Sequence, residues 1–544
     1  MERLRRRRVA ALATAAVAAT ALAVAGCGGG GSSDQTGSTA GDVASFVPAG
    51  SPLYLELTTD LDGPQWTQVK ALAKLFPGYP EFQKMLDDEL SSENVDFDTE
   101  VKPLLGDRAA VAALSIPDAA KVQGTLTSGD ATGAAEAADD TPFVAVVDIA
   151  DGKDADVTAL LVKGGATQAG QHAGVPVYKD SSGDTVAAVD DGALVVSDKE
   201  QQLFAALDAH AQGGDKTLAG TQKFTDALSK LPPDVFGQAY IDLGTLIQRA
   251  GSSSPQLEQL GLGDYRNAVV AASLAAEQDG ARLKGVVLGA PDLGLKDFTP
   301  TLDAHAPADA VAYIGFNDLA GTTAKILDTV RSSAGAETKQ QIDALTTQLP
   351  ALLGVSVDDL AALTSGEHAV VVTSGTPTPG AALALKVEDG ARAQATLDTL
   401  RTKVPQLVAT FSPDTQLPDW RRVDLAGGVQ GWELPLSKEA GAVYGVDGDL
   451  AIIGTSVPAV TAVQRPTSPL SDSADYQAGT SGMPDEVTSV FWINLTEGVS
   501  TLKALGALDD ADPQVLANLK PLKSIAAWTT AGDMPTFEVF LRIK

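Results

Sequence analysis

Cys27 is the only cysteine in this chain of 544 residues, and only four histidines accompany it. A single thiol excludes an intrachain disulfide and any zinc site built on several cysteines. His172, His210, His305 and His368 are widely spaced, and no His-Glu-x-x-His occurs. Basic residues are scarce too: 39 Lys and Arg stand against 70 Asp and Glu, a formal net charge of −31. Binding to nucleic acid needs basic patches that neutralise phosphate, so that class of partner is excluded. There is no Gly-x-Ser-x-Gly elbow and no Gly-Lys-Ser/Thr phosphate loop. Gly261-Leu262-Gly263-Asp264 lacks the third glycine of a dinucleotide fingerprint. The expectation is a protein without cofactor, metal or catalytic residues.

What basic charge there is gathers at the start. Arg3, Arg5, Arg6, Arg7 and Arg8 precede an Ala/Val/Leu/Thr run from Val9 to Ala25, and Val24-Ala25-Gly26-Cys27 follows. This reads as a bacterial lipoprotein signal with its lipobox, residues 1–26 being the signal peptide and Cys27 the site of lipidation. At about 17 residues, rich in Ala, the apolar run is short for a spanning helix. Acyl chains such as palmitate on Cys27 would hold the protein to the membrane, each buried CH₂ contributing about 0.8 kcal/mol. Residues 27–45 read as a flexible tether, because Gly28 to Asp42 is Gly, Ser, Thr, Asp, Gln and Ala without apolar periodicity. Its reach is about 20 Å. The expected location is the outer face of the bacterial cytoplasmic membrane.

The remainder is long for one core and carries an internal repeat. Val47-Pro48-Ala49 through Tyr54 recurs as Ala306-Pro307-Ala308 through Tyr313, and Gly106-Asp107-Arg108-Ala109 recurs as Gly366-Glu367-His368-Ala369. Val189-Asp190-Asp191-Gly192 recurs near Val446-Asp447-Gly448-Asp449, and Pro233-Asp234 recurs as Pro484-Asp485. Across the four matches the offset falls gradually from about 260 to about 250 residues. Two tandem related domains follow as the expectation, residues 46–290 and 307–544, with a proline-bearing linker at 291–306.

Within each repeat, short apolar or alternating segments predict strands: 53–57, 109–115, 143–149, 185–189, 193–197, 236–242, 268–276 and 282–288, with matching segments in the second half. Asp191-Gly192, Asp279-Gly280 and Asp447-Gly448 fit tight hairpin turns. Helical periodicity covers 65–76, 81–90, 154–163, 199–210 and 221–230, then 321–330, 339–353, 391–404 and 495–505. Ser197-Asp198-Lys199-Glu200 and Ser356-Val357-Asp358-Asp359 resemble capped helix starts. The predicted fold class is α+β with mainly antiparallel sheets and interleaved helices. Gly124 to Thr141, rich in Gly, Ala and acidic residues, reads as an insertion without binding anchors.

Other candidates have plainer explanations. Asp60-Leu61-Asp62-Gly63 and Asp96-Phe97-Asp98-Thr99-Glu100 lack the spacing of a calcium loop, so turn and helix-start roles are expected. Asn494-Leu495-Thr496 is a sequon, but a structural asparagine is the better reading in a bacterial chain. His210, near a helix end, is expected to cap or pair at the surface.

The Pro-Ala opening with its tyrosine and the Val446-Asp447-Gly448-Asp449-Leu450-Ala451-Ile452-Ile453-Gly454 hairpin resemble the DUF3352 family, a bacterial domain of unknown function found in envelope proteins. The resemblance covers most of the chain after Cys27 and brings no reaction and no catalytic residues. The functional expectation is a lipid-anchored, non-enzymatic protein that binds or organises an envelope component. The alternatives are a carrier of lipid or another apolar ligand, and an envelope hydrolase.

Overall fold

The computed structural model describes residues 43–92, 95–115, 141–181, 183–253, 265–292, 294–333, 336–375, 378–412, 417–438 and 440–544. Cys27, the signal segment, most of the tether, Gly261 to Asp264 and nearly all of the 124–141 insertion lie outside the described residues. The described chain falls into two compact units that divide between Ala290 and Pro291.

Among its described residues the first unit has ten strands. They are β1 (Leu53–Thr58), β2 (Leu105–Ala113), β3 (Phe143–Ile149), β4 (Thr167–His172) and β5 (Val175–Lys179), then β6 (Val186–Asp190), β7 (Ala193–Ser197), β8 (Gly237–Asp242), β9 (Val269–Glu277) and β10 (Gly280–Leu288). All pair antiparallel, in the order β10-β9-β8-β1-β2-β3-β7-β6-β5-β4. Both faces of β3 and β7 are buried. Val144, Val146 and Val195 meet Leu203, Ala206 and Leu207 of the helix Glu200–Gln212 on one side. Ala145, Val147, Leu194 and Val196 meet Val157 and Leu161 of the helix Asp154–Lys163 on the other. Continuous apolar runs belong to strands covered twice, which is why 143–149 and 193–197 read so cleanly.

The second unit also has ten strands. They are β11 (Ala310–Asn317), β12 (Glu367–Thr373), β13 (Gly380–Lys386), β14 (Arg421–Asp424) and β15 (Gln430–Pro435), then β16 (Gly441–Asp447), β17 (Leu450–Gly454), β18 (Ser489–Asn494), β19 (Ser524–Thr530) and β20 (Thr536–Arg542). Their order, β20-β19-β18-β11-β12-β13-β17-β16-β15-β14, repeats the first unit strand for strand. Registers repeat as well. Tyr54 stands opposite Ala112 and Tyr240, and Tyr313 stands opposite Val371 and Trp492. On each pair of rings a third sits edge-on from a short helix: Phe224 against Tyr54 and Tyr240, Tyr476 against Tyr313 and Trp492. The chain is thus α+β with antiparallel strands and interleaved helices.

Several boundaries differ from expectation for local reasons. Val43–Phe46 forms one 3-10 turn with Val43, Ala44 and Phe46 buried, so packing begins inside the segment read as tether. Phe298, Leu302 and Ala306 are buried in the second unit's core, so the 291–306 segment is part of that unit, not a free linker. Asp191-Gly192 is a two-residue turn with positive φ at both positions, as a type I′ hairpin needs. In the second unit Asp447 instead pairs with Leu450, and the turn is Gly448-Asp449 with positive φ at Gly448 alone. Gly280 likewise belongs to β10 and pairs with Glu277, leaving Gln278-Asp279 as the turn. Ser197 caps nothing: it ends β7, and its hydroxyl donates to Phe143 O at 2.7 Å. Ser356 and Asp359 form a full capping box for the helix Val357–Thr364.

Candidate functional site

The sequence candidates are placed first by their hydrogen bonds. Asp96 accepts from Thr99 N at 2.9 Å and Thr99 Oγ1 at 2.7 Å, and Glu100 accepts from Asp96 N, so this acidic run closes a helical turn. Asp62 pairs with Lys102 at 2.9 Å, which holds its carboxyl below the usual range. Asn494 caps the helix Leu495–Ala504 by accepting from Glu497 N at 3.0 Å, the structural role expected of it. Among the described residues no group of three or more His, Asp or Glu is placed to hold a metal ion.

The histidines are dispersed. His172 meets Asp208 at 2.7 Å and stacks on Phe204. His368 is wholly buried against the edge of Phe316, and burial pushes its pKa below the ordinary value. His210 Nδ1 faces Ser45 Oγ at 3.2 Å, and its Nε2 faces Asp191 Oδ2 at 3.3 Å. Hydroxyl, imidazole and carboxylate stand in the sequence that nucleophilic catalysis uses. Here, however, the carboxylate projects from an exposed hairpin turn, and Phe46 covers the imidazole face at 3.7 Å between ring centroids. The arrangement clamps the Val43–Phe46 turn onto the helix Glu200–Gln212.

A shallow pocket between the helices Val357–Thr364 and Gly390–Phe411 is lined by Asp359, Leu363, Glu388, Asp389 and Arg392. Asp359 and Asp389 already serve Ser356, the backbone and Arg392. Asp389 accepts from Arg392 N, and Asp359 accepts from Ser356 and from Arg392 Nε at 2.9 Å.

Farther along the helix Gly390–Phe411, a cluster of rings and arginines assembles that no sequence motif announces. Trp432 on β15 stands between its cross-strand partners Arg422 on β14 and Tyr444 on β16. The Arg401 guanidinium lies 4.0 Å from the Trp432 ring centroid, and that of Arg422 lies 5.2 Å away, both within cation–π range. Arg401 donates to Tyr444 Oη at 3.1 Å, and Tyr444 donates to Asp398 at 2.6 Å. Burial tends to raise the Asp398 pKa, but the bonds from Tyr444, Gln394 and Arg401 outweigh it and hold the carboxyl low. Burial, then Asp398, push the Tyr444 phenol up. Trp420 closes the cluster edge-on to Tyr444 at 5.7 Å. Arg401 is thereby neutralised, whereas exposed Arg422 has no carboxylate partner among the described residues. The signal was the density of scarce types: two of the five tryptophans and two arginines fall between residues 420 and 432.

The fold defines a two-unit antiparallel α+β protein with a cluster of rings and arginines on its second unit. The chain belongs to the family described as "Protein of unknown function (DUF3352)", which matches residues 9–542. No curated protein matches it. Among solved structures, crystal forms III and IV of TP0453 are similar at 10% and 9% identity, covering 46% of this chain and 80% and 81% of theirs. Their TM-scores are 0.24 and 0.25, too low to bear on fold or function. No helix among the described residues is long and apolar enough to cross a membrane.

Proposed function

We propose that this is a lipid-anchored envelope protein, held through acyl chains on Cys27 at the outer face of the cytoplasmic membrane, that binds or organises another envelope component without catalysing a reaction. We infer that its two units arose by tandem duplication, since strand order, register and the three-ring ladder coincide. The observation that carries the binding reading is the filling of the interior. In each unit the space between sheet and helices, where an apolar cargo would sit, holds large buried side chains: Phe46, Phe224 and Leu203 in the first, Tyr313, Tyr476 and Trp492 in the second. This favours a scaffold over a carrier. The Asp62, Asp96 and Asn494 side chains are engaged in an ion pair, a turn and a cap, and those of Ser45, His210 and Asp191 in a clamp, which favours it over a hydrolase.

The test is made on the protein expressed in a bacterial envelope. Cys27→Ala is expected to abolish acyl labelling and release the protein from membranes. The intact protein is expected to contain no lipid extractable from its core and to leave Ser45 unlabelled by a fluorophosphonate. Unchanged membrane association of Cys27→Ala overturns the anchor. Core-bound lipid restores the carrier, and Ser45 labelling restores the hydrolase.

A further inference from the structure

β14 ends the strand order of the second unit, and among the described residues it pairs with β15 alone. Such a strand offers a row of unpaired backbone donors and acceptors to which another strand can add. The first unit handles the same position differently. Its terminal strand β4 reads Thr-Gln-Ala-Gly-Gln-His, carries a register shift between Gln168 and Gly170, and pairs its one titratable residue, His172, with Asp208. A bulged strand with a glycine inside it is a blunted edge. β14 keeps an unbroken register from Arg421 opposite Glu433 to Asp424 opposite Gln430.

The side chains differ in the same sense. Where the first unit places Gln168, Tyr178 and Ala187 in one cross-strand row, the second places Arg422, Trp432 and Tyr444. Trp, Tyr and Arg are the residue types that dominate binding energy at protein interfaces. Arg421 is already paired with Glu433 at 2.7 Å on its own sheet. Arg422 is held only over the Trp432 ring, a positive charge left without a carboxylate in a chain of net −31.

Resting on the non-enzymatic binding reading, we propose that β14 is the docking edge for an extended acidic segment of another protein, which adds as a further strand and sets a carboxylate against Arg422. Exposed Arg422, left over once Arg421 is paired with Glu433, repels a basic strand and gives a neutral one nothing to pair with, so the edge is selective. Trp432, half-buried against the second unit's core and fixed by Arg401 and Tyr444, holds the Arg422 guanidinium beside that edge.

The probe is a fluorescein-labelled peptide, Thr-Glu-Val-Glu-Val-Glu-Val-Thr, titrated into the processed full chain to 1 mM, with a Lys-for-Glu version as control. The acidic peptide is expected to bind, and to bind more weakly as salt rises. Arg422→Glu and Trp432→Ala should each weaken it about tenfold or more while circular dichroism stays unchanged. Amides of β14 should gain protection from hydrogen exchange on binding, and those of β4 should not. No binding at 1 mM, equal binding of the lysine peptide, indifference to Arg422→Glu, or protection that bypasses β14 each overturns the proposal. Inorganic polyphosphate or anionic vesicles binding where the peptide does not would make this an anion site and also overturn strand addition. None of these failures touches the Cys27 and Ser45 outcomes on which the broader reading rests.

Discussion

Breaking the buried ion pair of the first unit should cost far more than removing it whole. Glu56 on β1 is 0% exposed, with one carboxylate oxygen bonded by the Tyr54 hydroxyl and the other by Arg108 Nη1 at 2.6 Å. Arg108 reaches it from β2, its own side chain partly in water. Arg108→Met leaves a buried carboxylate with Tyr54 as its remaining partner among the described residues, an uncompensated charge that costs about 3–5 kcal/mol. Glu56→Gln removes the charge but keeps shape and an acceptor, and the arginine left behind can hydrate, so about 1–2 kcal/mol is expected. The double variant Glu56→Leu with Arg108→Met replaces the pair by apolar groups of similar size and leaves the buried Tyr54 hydroxyl without its acceptor, so it should fall only about 1–2 kcal/mol below the wild type. Hydrogen exchange of peptides spanning β1 and β2, read against β11 and β12 of the same molecule, measures local stability without assuming that a two-unit chain unfolds in one step. A double variant as unstable as the sum of its singles, or a cost for Arg108→Met below about 1 kcal/mol, would refute the reasoning.

Two further outcomes follow from the second unit. Burial lowers the pKa of His368, so the unfolded chain binds a proton before the folded one does as pH falls below about 6.5. The stability that neutral His368 supplies is full above that pH and is lost as pH drops toward its folded value; His368→Leu should therefore flatten the fall in melting temperature between pH 7.5 and 5, and an unchanged slope would contradict this. Gly315 occupies the place that Glu56 holds in the first unit, and a Cβ there would stand 2.8 Å from Tyr313 Oη and 2.9 Å from Val490 Cγ1. Gly315→Ala should overpack the ring ladder by about 1–3 kcal/mol, visible as faster exchange in β11 and β18, and wild-type exchange there would argue against it.

Much of this fold could be read from sequence wherever burial imposes a pattern. Phe143–Ile149 and Ala193–Ser197 stand out because both faces are covered, and Asp154–Lys163 because Val157, Leu160 and Leu161 share a buried stripe. β4 and β5 escape because Thr167–His172 is exposed along nearly its whole length and bulged, so no alternation survives. Ser197 and Ser356 illustrate how far a local motif reaches. Both precede acids at capping distance, but only Ser356 lies outside a strand and so has its hydroxyl free for the helix. The Arg422, Trp432 and Tyr444 row was not legible, because it exists only once three strands have fixed their registers.

Comparison of matched positions separates what the architecture requires from what each unit has made of it. The rings at Tyr54 and Tyr313, at Tyr240 and Trp492, and at Phe224 and Tyr476 keep one packing pattern, and Asp242 and Asn494 both end a strand and accept from a backbone N–H of the next helix. These positions answer to the fold. By strand register Arg108 corresponds to Glu367, opposite Thr58 and Asn317, and not to His368 as the sequence repeat aligns it, a shift of one residue; the two charges are opposite. Arg108 serves the buried Glu56; Glu367, with Gly315 at the position that matches Glu56, accepts from Thr301 N at 2.7 Å and Leu302 N at 2.8 Å and so fastens the turn at Leu302–Ala304. In both units the charge at this register position is partnered. Arg422, which stands in the terminal strand where the first unit has Gln168, has no carboxylate partner among the described residues, and on that difference rests the proposal that β14 receives an added strand.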